Sequence, residues 1–77
     1  MVLKNLKPVR SLKELGELAT FDPDYQTIAI GAARDLGSRP SSWHDAIKLL
    51  EACAAETGEG KVMQAVNYCI ASRKNYA

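Results

Sequence analysis

The residue types that most often carry out acid–base and nucleophilic chemistry meet at one place in this sequence. His44, the only histidine, precedes Asp45 and follows Ser41 and Ser42. A hydroxyl, an imidazole and a carboxylate are the groups of a hydrolytic triad. Adjacent helical positions point about 100° apart, so His44 and Asp45 would not form the oriented pair that a triad needs. Helix capping explains the serines and the aspartate, and we therefore expect no enzymatic activity and no small-molecule substrate.

A second short pattern resembles a phosphate-binding loop without meeting its requirements. Residues 58–61, Gly-Glu-Gly-Lys, contain the Gly-Lys pair of a P-loop. That loop also needs a glycine five positions earlier and a hydroxyl residue directly afterwards. Ala55 and Val62 occupy those two positions. The sequence therefore predicts a flexible turn between two helices here, and no nucleotide site.

No metal or cofactor is expected either. The acidic residues between positions 14 and 24 lack the alternating oxygen ligands and central glycine of a calcium loop. Cys53 and Cys69 belong to no metal-ligand spacing, and both fall within apolar helical patterns that predict buried thiols. If residues 43–57 and 61–74 pair as an antiparallel hairpin, the two cysteines lie out of register. We therefore expect no disulfide between them.

Composition indicates one small globular domain. A chain of 77 residues buries only about 60% of the surface that it exposes when unfolded, so the core should be small. With 47% apolar and 25% charged residues, the chain is unlike a disordered segment. No apolar run approaches the roughly 20 residues that span a bilayer, and no apolar leader opens the chain. We therefore expect a cytoplasmic protein with no membrane partner.

Hydrophobic periodicity and capping residues predict an all-α domain of four helices. Three start signals stand out, namely Ser11, the pair Asp22-Pro23, and Ser42, and Gly37 suits the left-handed position after a helix end. No segment alternates as a strand would. The predicted helices cover residues 12–19, 23–36, 43–57 and 61–74, and residues 1–10 form an irregular basic arm that packs on them.

The apolar residues divide into a main core and a smaller set outside it. Trp43, at the start of the third helix, is predicted to be the main aromatic side chain of the core. The apolar residues of the arm, Val2, Leu3, Leu6 and Val9, should lie against the core. Four apolar residues fall off the main helical stripes, and in so small a domain a second apolar face suits a dimer or a partner protein. These predicted partner-binding residues are Ile30, Leu49, Met63 and Tyr68.

The connection between the second and third helices resembles the helix-turn-helix of bacterial repressors. The residues that carry the resemblance are Ala33, Leu36, Gly37, Pro40-Ser41-Ser42 and Trp43, with Ala46 and Ile47 continuing the inward face. The residue after the glycine, Ser38, is polar where that class usually has an apolar one, and Trp43 is bulkier than its usual valine or isoleucine. The resemblance implies that the third helix would read DNA.

DNA binding is the alternative function. The residues that would contact DNA are Lys4, Lys7, Arg10, Arg39, Ser41, His44 and Lys48. The first three belong to the arm and would contact phosphates. The outward face of the third helix is nearly neutral, and the net charge of +1 gives no overall attraction to a polyanion. We therefore favour a small non-enzymatic regulator or adaptor that binds another macromolecule, a protein or a second copy of itself in preference to DNA.

Overall fold

Four helices make up almost all of the chain that can be described. The computed structural model describes residues 6–74, and the side chains of residues 6–72. The helices are α1 (Leu12–Phe21), α2 (Pro23–Asp35), α3 (Trp43–Thr57) and α4 (Glu59–Lys74), and no strand occurs between residues 6 and 74. The predicted all-α class and the number of helices are confirmed. Each predicted boundary lies within two residues of the observed one.

Short polar side chains begin the first three helices. The Ser11 hydroxyl accepts a hydrogen bond from the Glu14 N–H at 3.1 Å, and the Ser42 hydroxyl accepts from the Asp45 N–H at 3.2 Å. Asp22 ends α1 and begins α2, where its carboxylate accepts from the Asp24 N–H at 3.0 Å. These bonds satisfy amides that have no partner within their own helix. The three predicted start signals are therefore confirmed.

The end of α2 is a glycine-terminated Schellman motif. Gly37 has a φ of +87°, and its N–H donates to the Arg34 carbonyl at 2.9 Å. The Ser38 N–H reaches back to the Ala33 carbonyl, also at 2.9 Å. This pair of bonds defines the motif and satisfies two carbonyls at the helix end. The prediction for Gly37 is confirmed, and the backbone that leaves α2 is fixed.

A single residue, Gly58, connects α3 to α4. It has a φ of +100°, and its N–H donates to the Ala54 carbonyl at 2.8 Å. Glu59 and Gly60 are already helical. The prediction of a flexible three-residue turn was therefore wrong, because one left-handed residue reverses the chain without further linker.

Helix α2 is central, since it packs against each of the other three helices. Its alanines allow this close approach: Ala29, Ala32 and Ala33 are all fully buried. Around them lie the largest fully buried side chains, which come from every helix: Leu15, Ile28, Leu50, Val62 and Val66. A helix with small residues on its buried face lets neighbouring backbones come close without leaving voids.

The described part of the arm, residues 6–10, is held between α2 and α4. Leu6 and Val9 are buried in the core, as predicted, and Val2 and Leu3 lie outside the residues that the structure describes. The Tyr25 hydroxyl accepts from the Lys7 N–H and donates to the Lys7 carbonyl, both at 3.0 Å. On the other side, the Asn67 side chain pairs with the backbone of Val9. Two side chains thus provide the hydrogen bonds that a neighbouring strand would otherwise supply.

The predicted role of Trp43 was wrong. Its side chain is only half-buried at the edge of the core, and its ring stacks on His44 with 3.7 Å between ring centroids. The buried aromatic side chain is Tyr25, which is 6% exposed. The first turn of α3 lies at the edge of the core, whereas the first turn of α2 lies over the arm.

Among the described residues, no helix is long and apolar enough to cross a membrane.

Candidate partner-binding groove

The four predicted partner-binding residues do not form one exposed surface. Met63 is only 8% exposed and belongs to the core, so its predicted exposure was wrong. Ile30 is half-buried against the core, and Leu49 is half-buried. Tyr68 is 69% exposed. Met63 is buried because the reversal at Gly58 brings the start of α4 directly onto the other helices, so an additional face of α4 is covered.

Tyr68 lies beside a groove between α2 and α4, which we call the α2/α4 groove. The groove has a volume of about 320 Å³. Its lining residues are Thr27, Ile28, Gly31 and Asp35 from α2, and Tyr68, Cys69 and Ser72 from α4. Ile28 is buried, whereas Tyr68 and Asp35 are exposed. The groove therefore offers an apolar interior, an aromatic ring at the surface and one carboxylate.

Gly31 accounts for the depth of this groove. The residue lies in the middle of α2, where glycine is less favourable than alanine by about 1 kcal/mol. A Cβ atom added at Gly31 would lie 3.7 Å from the Cys69 sulfur, which is ordinary van der Waals contact. A longer side chain at this position would extend from that contact into the groove. The glycine is thus tolerated by the fold and keeps the groove open.

Asp35 and Cys69 are joined across the groove. The Cys69 thiol donates a hydrogen bond to the Asp35 carboxylate, with 3.3 Å between sulfur and oxygen. Burial, this hydrogen bond and the negative charge of Asp35 together raise the pKa of the Cys69 thiol to about 11. A protonated thiol is a poor nucleophile, so this cysteine is a weak hydrogen-bond donor and not a reactive centre. Cys53 and Cys69 are both free cysteines, and each is half-buried where burial was predicted.

The position of Asp35 is unfavourable for the helix that carries it. Asp35 is the last residue of α2, and a negative charge at a helix C-terminus is destabilised by the helix dipole. The carboxylate is exposed, and its one hydrogen bond among the described side chains comes from a thiol, which is a weak donor. It therefore keeps the capacity to accept stronger hydrogen bonds from a cation.

A second concavity lies at the connection between α2 and α3, and we call it the corner pocket. Its volume is about 500 Å³. Its lining residues are Arg34, Gly37, Ser38, Arg39 and Pro40. Two of its lining residues are arginines, whereas the surface of the α2/α4 groove is mostly apolar. The two concavities have no lining residue in common.

No protein-family model, no curated protein and no solved structure matches the chain, so no relative suggests a function for either concavity.

The residues of the DNA-binding alternative are accessible but not arranged as the resemblance implies. Lys7, Arg10, Arg39, Ser41, His44 and Lys48 are all exposed, and Lys4 lies outside the described residues. Seven residues, 36–42, separate α2 from α3. A helix-turn-helix pair is joined by about three or four. The connection is therefore longer than the turn that the resemblance implies.

The first turn of α3 uses its polar groups for local structure. The Asp45 carboxylate accepts from the Ser41 N–H at 3.0 Å. His44 stacks on Trp43. Between residues 6 and 72, no group of three histidine, cysteine or acidic side chains is placed to hold a metal ion.

Sequence reasoning missed several residues that line these concavities. Gly31, Asp35 and Cys69 were not assigned to a site, although a glycine within a helical pattern is a recognised signal of close packing or function. Phe21 was also missed, and it is 86% exposed at the end of α1. Nothing in the apolar periodicity distinguishes an exposed phenylalanine at a helix end from a buried one.

Proposed function

We propose that this protein is a small non-enzymatic regulator or adaptor, and that it binds a segment of another protein in the α2/α4 groove. The segment carries an apolar side chain that enters the groove and a lysine or arginine that pairs with Asp35. The observation that carries the proposal is the arrangement of exposed Tyr68 and exposed Asp35 around the buried side chain of Ile28. Aromatic side chains are enriched at protein interfaces, and a desolvated charge pair adds specificity.

The chemistry of the groove favours a protein segment as its occupant. A volume of about 320 Å³ suits one or two apolar side chains, and the groove is open along the surface between two helices. Asp35 gives the surface a negative charge at one position, so charge complementarity selects a basic group there. No group of three possible metal ligands occurs among the described residues. The raised pKa of Cys69 keeps its thiol protonated, so it is a poor nucleophile.

The test is selection of peptides from a random phage-displayed library against the immobilised protein. A Gly31→Leu variant, whose side chain fills the groove, serves for counter-selection. We expect enriched peptides to share an apolar residue near a lysine or arginine. Their affinity should fall at least about tenfold in Asp35→Asn and in Tyr68→Ala, because each change removes one of the two proposed anchors.

Two matched variants control for general effects on charge and aromatic surface. Glu51→Gln removes an exposed carboxylate from α3, and Phe21→Ala removes an exposed ring from α1, and neither residue lines the groove. Both should bind the peptides as the original protein does. Enriched peptides that bind all variants equally, or that lack a basic residue, would contradict the proposal.

Two further measurements separate the other partners. If sedimentation shows a concentration-dependent dimer that Tyr68→Ala abolishes, the occupant is a second copy of the chain and the proposal of a different partner fails. If mixed-sequence duplex DNA at low salt shifts the amide resonances of residues 34–48 and of the arm, the helix-turn-helix alternative replaces protein binding. An unchanged spectrum with DNA is the result that we expect.

A further inference from the structure

The corner pocket places two arginines on a short, rigid connection. Arg34 lies in the last turn of α2, and Arg39 lies in the loop that follows the helix. The Schellman bonds of Gly37 and Ser38 fix the start of this loop. Pro40 has a restricted φ, and it also limits the backbone of the residue before it, which is Arg39. The backbone is therefore fixed by hydrogen bonds as far as Ser38 and restricted in conformation at Arg39 and Pro40.

Neither arginine has an acidic partner. No ion pair or hydrogen bond of the Arg34 or Arg39 side chain occurs with any residue whose side chain is described. The hydrogen bonds of the two nearest acidic residues along the chain go to other groups: Asp35 accepts from the Cys69 thiol, and Asp45 accepts from the Ser41 N–H. Two arginines thus line one concavity, and no carboxylate among the described residues pairs with either of them.

Folding explains only one of these two charges. A cation in the last turn of a helix interacts favourably with the helix dipole, and this applies to Arg34. Arg39 is exposed and lies beyond the helix end, where it stabilises no described element. It lines the same concavity as Arg34 and Ser38, so two cationic residues border one part of the surface.

We propose that the corner pocket binds a phosphomonoester group on a phosphorylated serine or threonine of another protein. Such a group carries nearly two negative charges at neutral pH and three acceptor oxygens. Arg34 and Arg39 match its charge, and each guanidinium offers a planar pair of donors that suits phosphate oxygens. The Ser38 hydroxyl supplies a further donor at the same pocket. This site is separate from the α2/α4 groove and does not depend on the function proposed for it.

The arrangement favours a single dianionic group over a nucleic-acid backbone. Each backbone phosphate carries one charge, and binding to it depends on a row of cations that contact successive phosphates. Two arginines meet in one concavity of about 500 Å³, and the whole chain has a net charge of only +1. The open shape also suits a side chain that projects from a peptide.

The experiment is an NMR titration of the full chain, labelled with ¹⁵N, with the peptide Ala-Ala-pSer-Ala-Ala. The unphosphorylated peptide and inorganic phosphate are titrated in parallel. We expect the phosphopeptide to shift the backbone amides of Gly37 and Ser38 and the side-chain Nε–H resonances of Arg34 and Arg39. Inorganic phosphate should shift the same resonances more weakly, and the unphosphorylated peptide should leave them unchanged.

Variants establish which groups carry the binding. Arg39→Gln and Arg34→Gln should each weaken phosphopeptide binding by about tenfold or more, because each removes a charge-assisted hydrogen-bond pair. Arg39→Lys keeps the charge but loses the planar donors, and should give an intermediate loss. Arg10→Gln is the matched control, since Arg10 is exposed and lies outside the pocket. Circular dichroism of each variant checks that the helices are retained.

Three results would overturn the proposal. The first is the absence of any shift at Gly37 and Ser38 at high phosphopeptide concentration. The second is an equal loss of binding in Arg10→Gln, which would indicate non-specific attraction to positive charge. The third is tighter binding of duplex DNA than of the phosphopeptide at the same residues, which would assign the pocket to nucleic acid.

Discussion

The side-chain amide of Asn67 forms two hydrogen bonds with the backbone of Val9, 58 residues away in the sequence. The Val9 N–H donates to the Asn67 Oδ1 atom at 3.0 Å, and the Asn67 Nδ2 atom donates to the Val9 carbonyl at 3.1 Å. Val9 is itself buried. No strand occurs among the described residues, so the side chain of Asn67 supplies the two hydrogen bonds that a neighbouring strand would give to Val9.

Replacing Asn67 by alanine should therefore loosen the arm. Asn67→Ala leaves the partly buried N–H and carbonyl of Val9 without partners, and we expect the free energy of unfolding to fall by about 1–3 kcal/mol. Urea denaturation measures this loss, and amide hydrogen exchange at Val9 should become faster. Gln64→Ala, an exposed position on the same helix, is the control and should change stability little. A loss of equal size in both variants would contradict the role of Asn67.

Two tyrosines offer a matched test of the other arm contact. Tyr25→Phe keeps the buried ring but removes the hydroxyl that bonds both the N–H and the carbonyl of Lys7. We expect a loss of about 1–2 kcal/mol and faster hydrogen exchange at Lys7. Tyr68→Phe makes the same chemical change at an exposed site and should leave stability within about 0.5 kcal/mol of the original. Thermal or urea unfolding of the two variants distinguishes these outcomes.

Substitution by alanine should change the stability of the domain in opposite directions at two glycines. Gly58 has a φ of +100°, so Gly58→Ala strains the one-residue connection and should destabilise the domain by about 1–3 kcal/mol. Gly16 lies within α1, and a Cβ added there meets nothing within 4 Å. Gly16→Ala should therefore stabilise the domain by about 0.5–1 kcal/mol. Unfolding midpoints that move in the same direction for both variants would be inconsistent with this geometry.

The raised pKa of the Cys69 thiol leads us to expect that the domain loses stability at high pH. Burial and Asp35 raise its pKa from 9.0 to about 11 in the folded chain, so the unfolded chain releases this proton first as the pH rises. The contribution of the neutral thiol is complete below pH 9.0 and is lost as the pH rises through about 11. Urea unfolding is measured for the original protein and for Cys69→Ala between about pH 8 and about pH 11. The difference between their free energies of unfolding at each pH gives the contribution of the thiol.

Asp35→Asn provides the second arm of this pH experiment. It removes the negative charge and the carboxylate acceptor, and should lower the pKa of Cys69. It should not restore the ordinary value, because burial is the largest cause of the shift. The ¹³Cβ chemical shift of Cys69 reports the titration directly. A midpoint unchanged by Asp35→Asn would show that burial alone raises the pKa.

The local signals in the sequence were sufficient for the secondary structure. Capping by Ser11, Asp22 and Ser42, and termination at Gly37, depend on bonds between residues at most five positions apart. Such bonds join residues that are close in the chain, so residue types at fixed spacings predict them. The error at residues 58–60 arose because a flexible composition also fits a sharp left-handed reversal.

The candidate sites could not be predicted in the same way. The exposure of Met63 and the central position of Trp43 were predicted from helical stripes, but a stripe does not say how many neighbours cover a helix. The contact between Cys69 and Asp35 joins residues 34 positions apart, and it depends on how α2 meets α4. Gly31 marks this groove in the sequence, but a glycine alone does not reveal what lies opposite.

The sequence by itself determined the four helices, their caps and the burial of Leu6 and Val9, because hydrogen bonds between near neighbours and apolar spacing fix them. Only the tertiary structure decided which apolar residues stay at the surface and which polar groups meet. Tyr68 remains exposed while Met63 is buried, and the Cys69 thiol meets the Asp35 carboxylate, because the packing of α4 on α2 and the chain reversal at Gly58 decide which side chains face each other. The interactions that follow link residues far apart in the chain, and sequence spacing carries no measure of them.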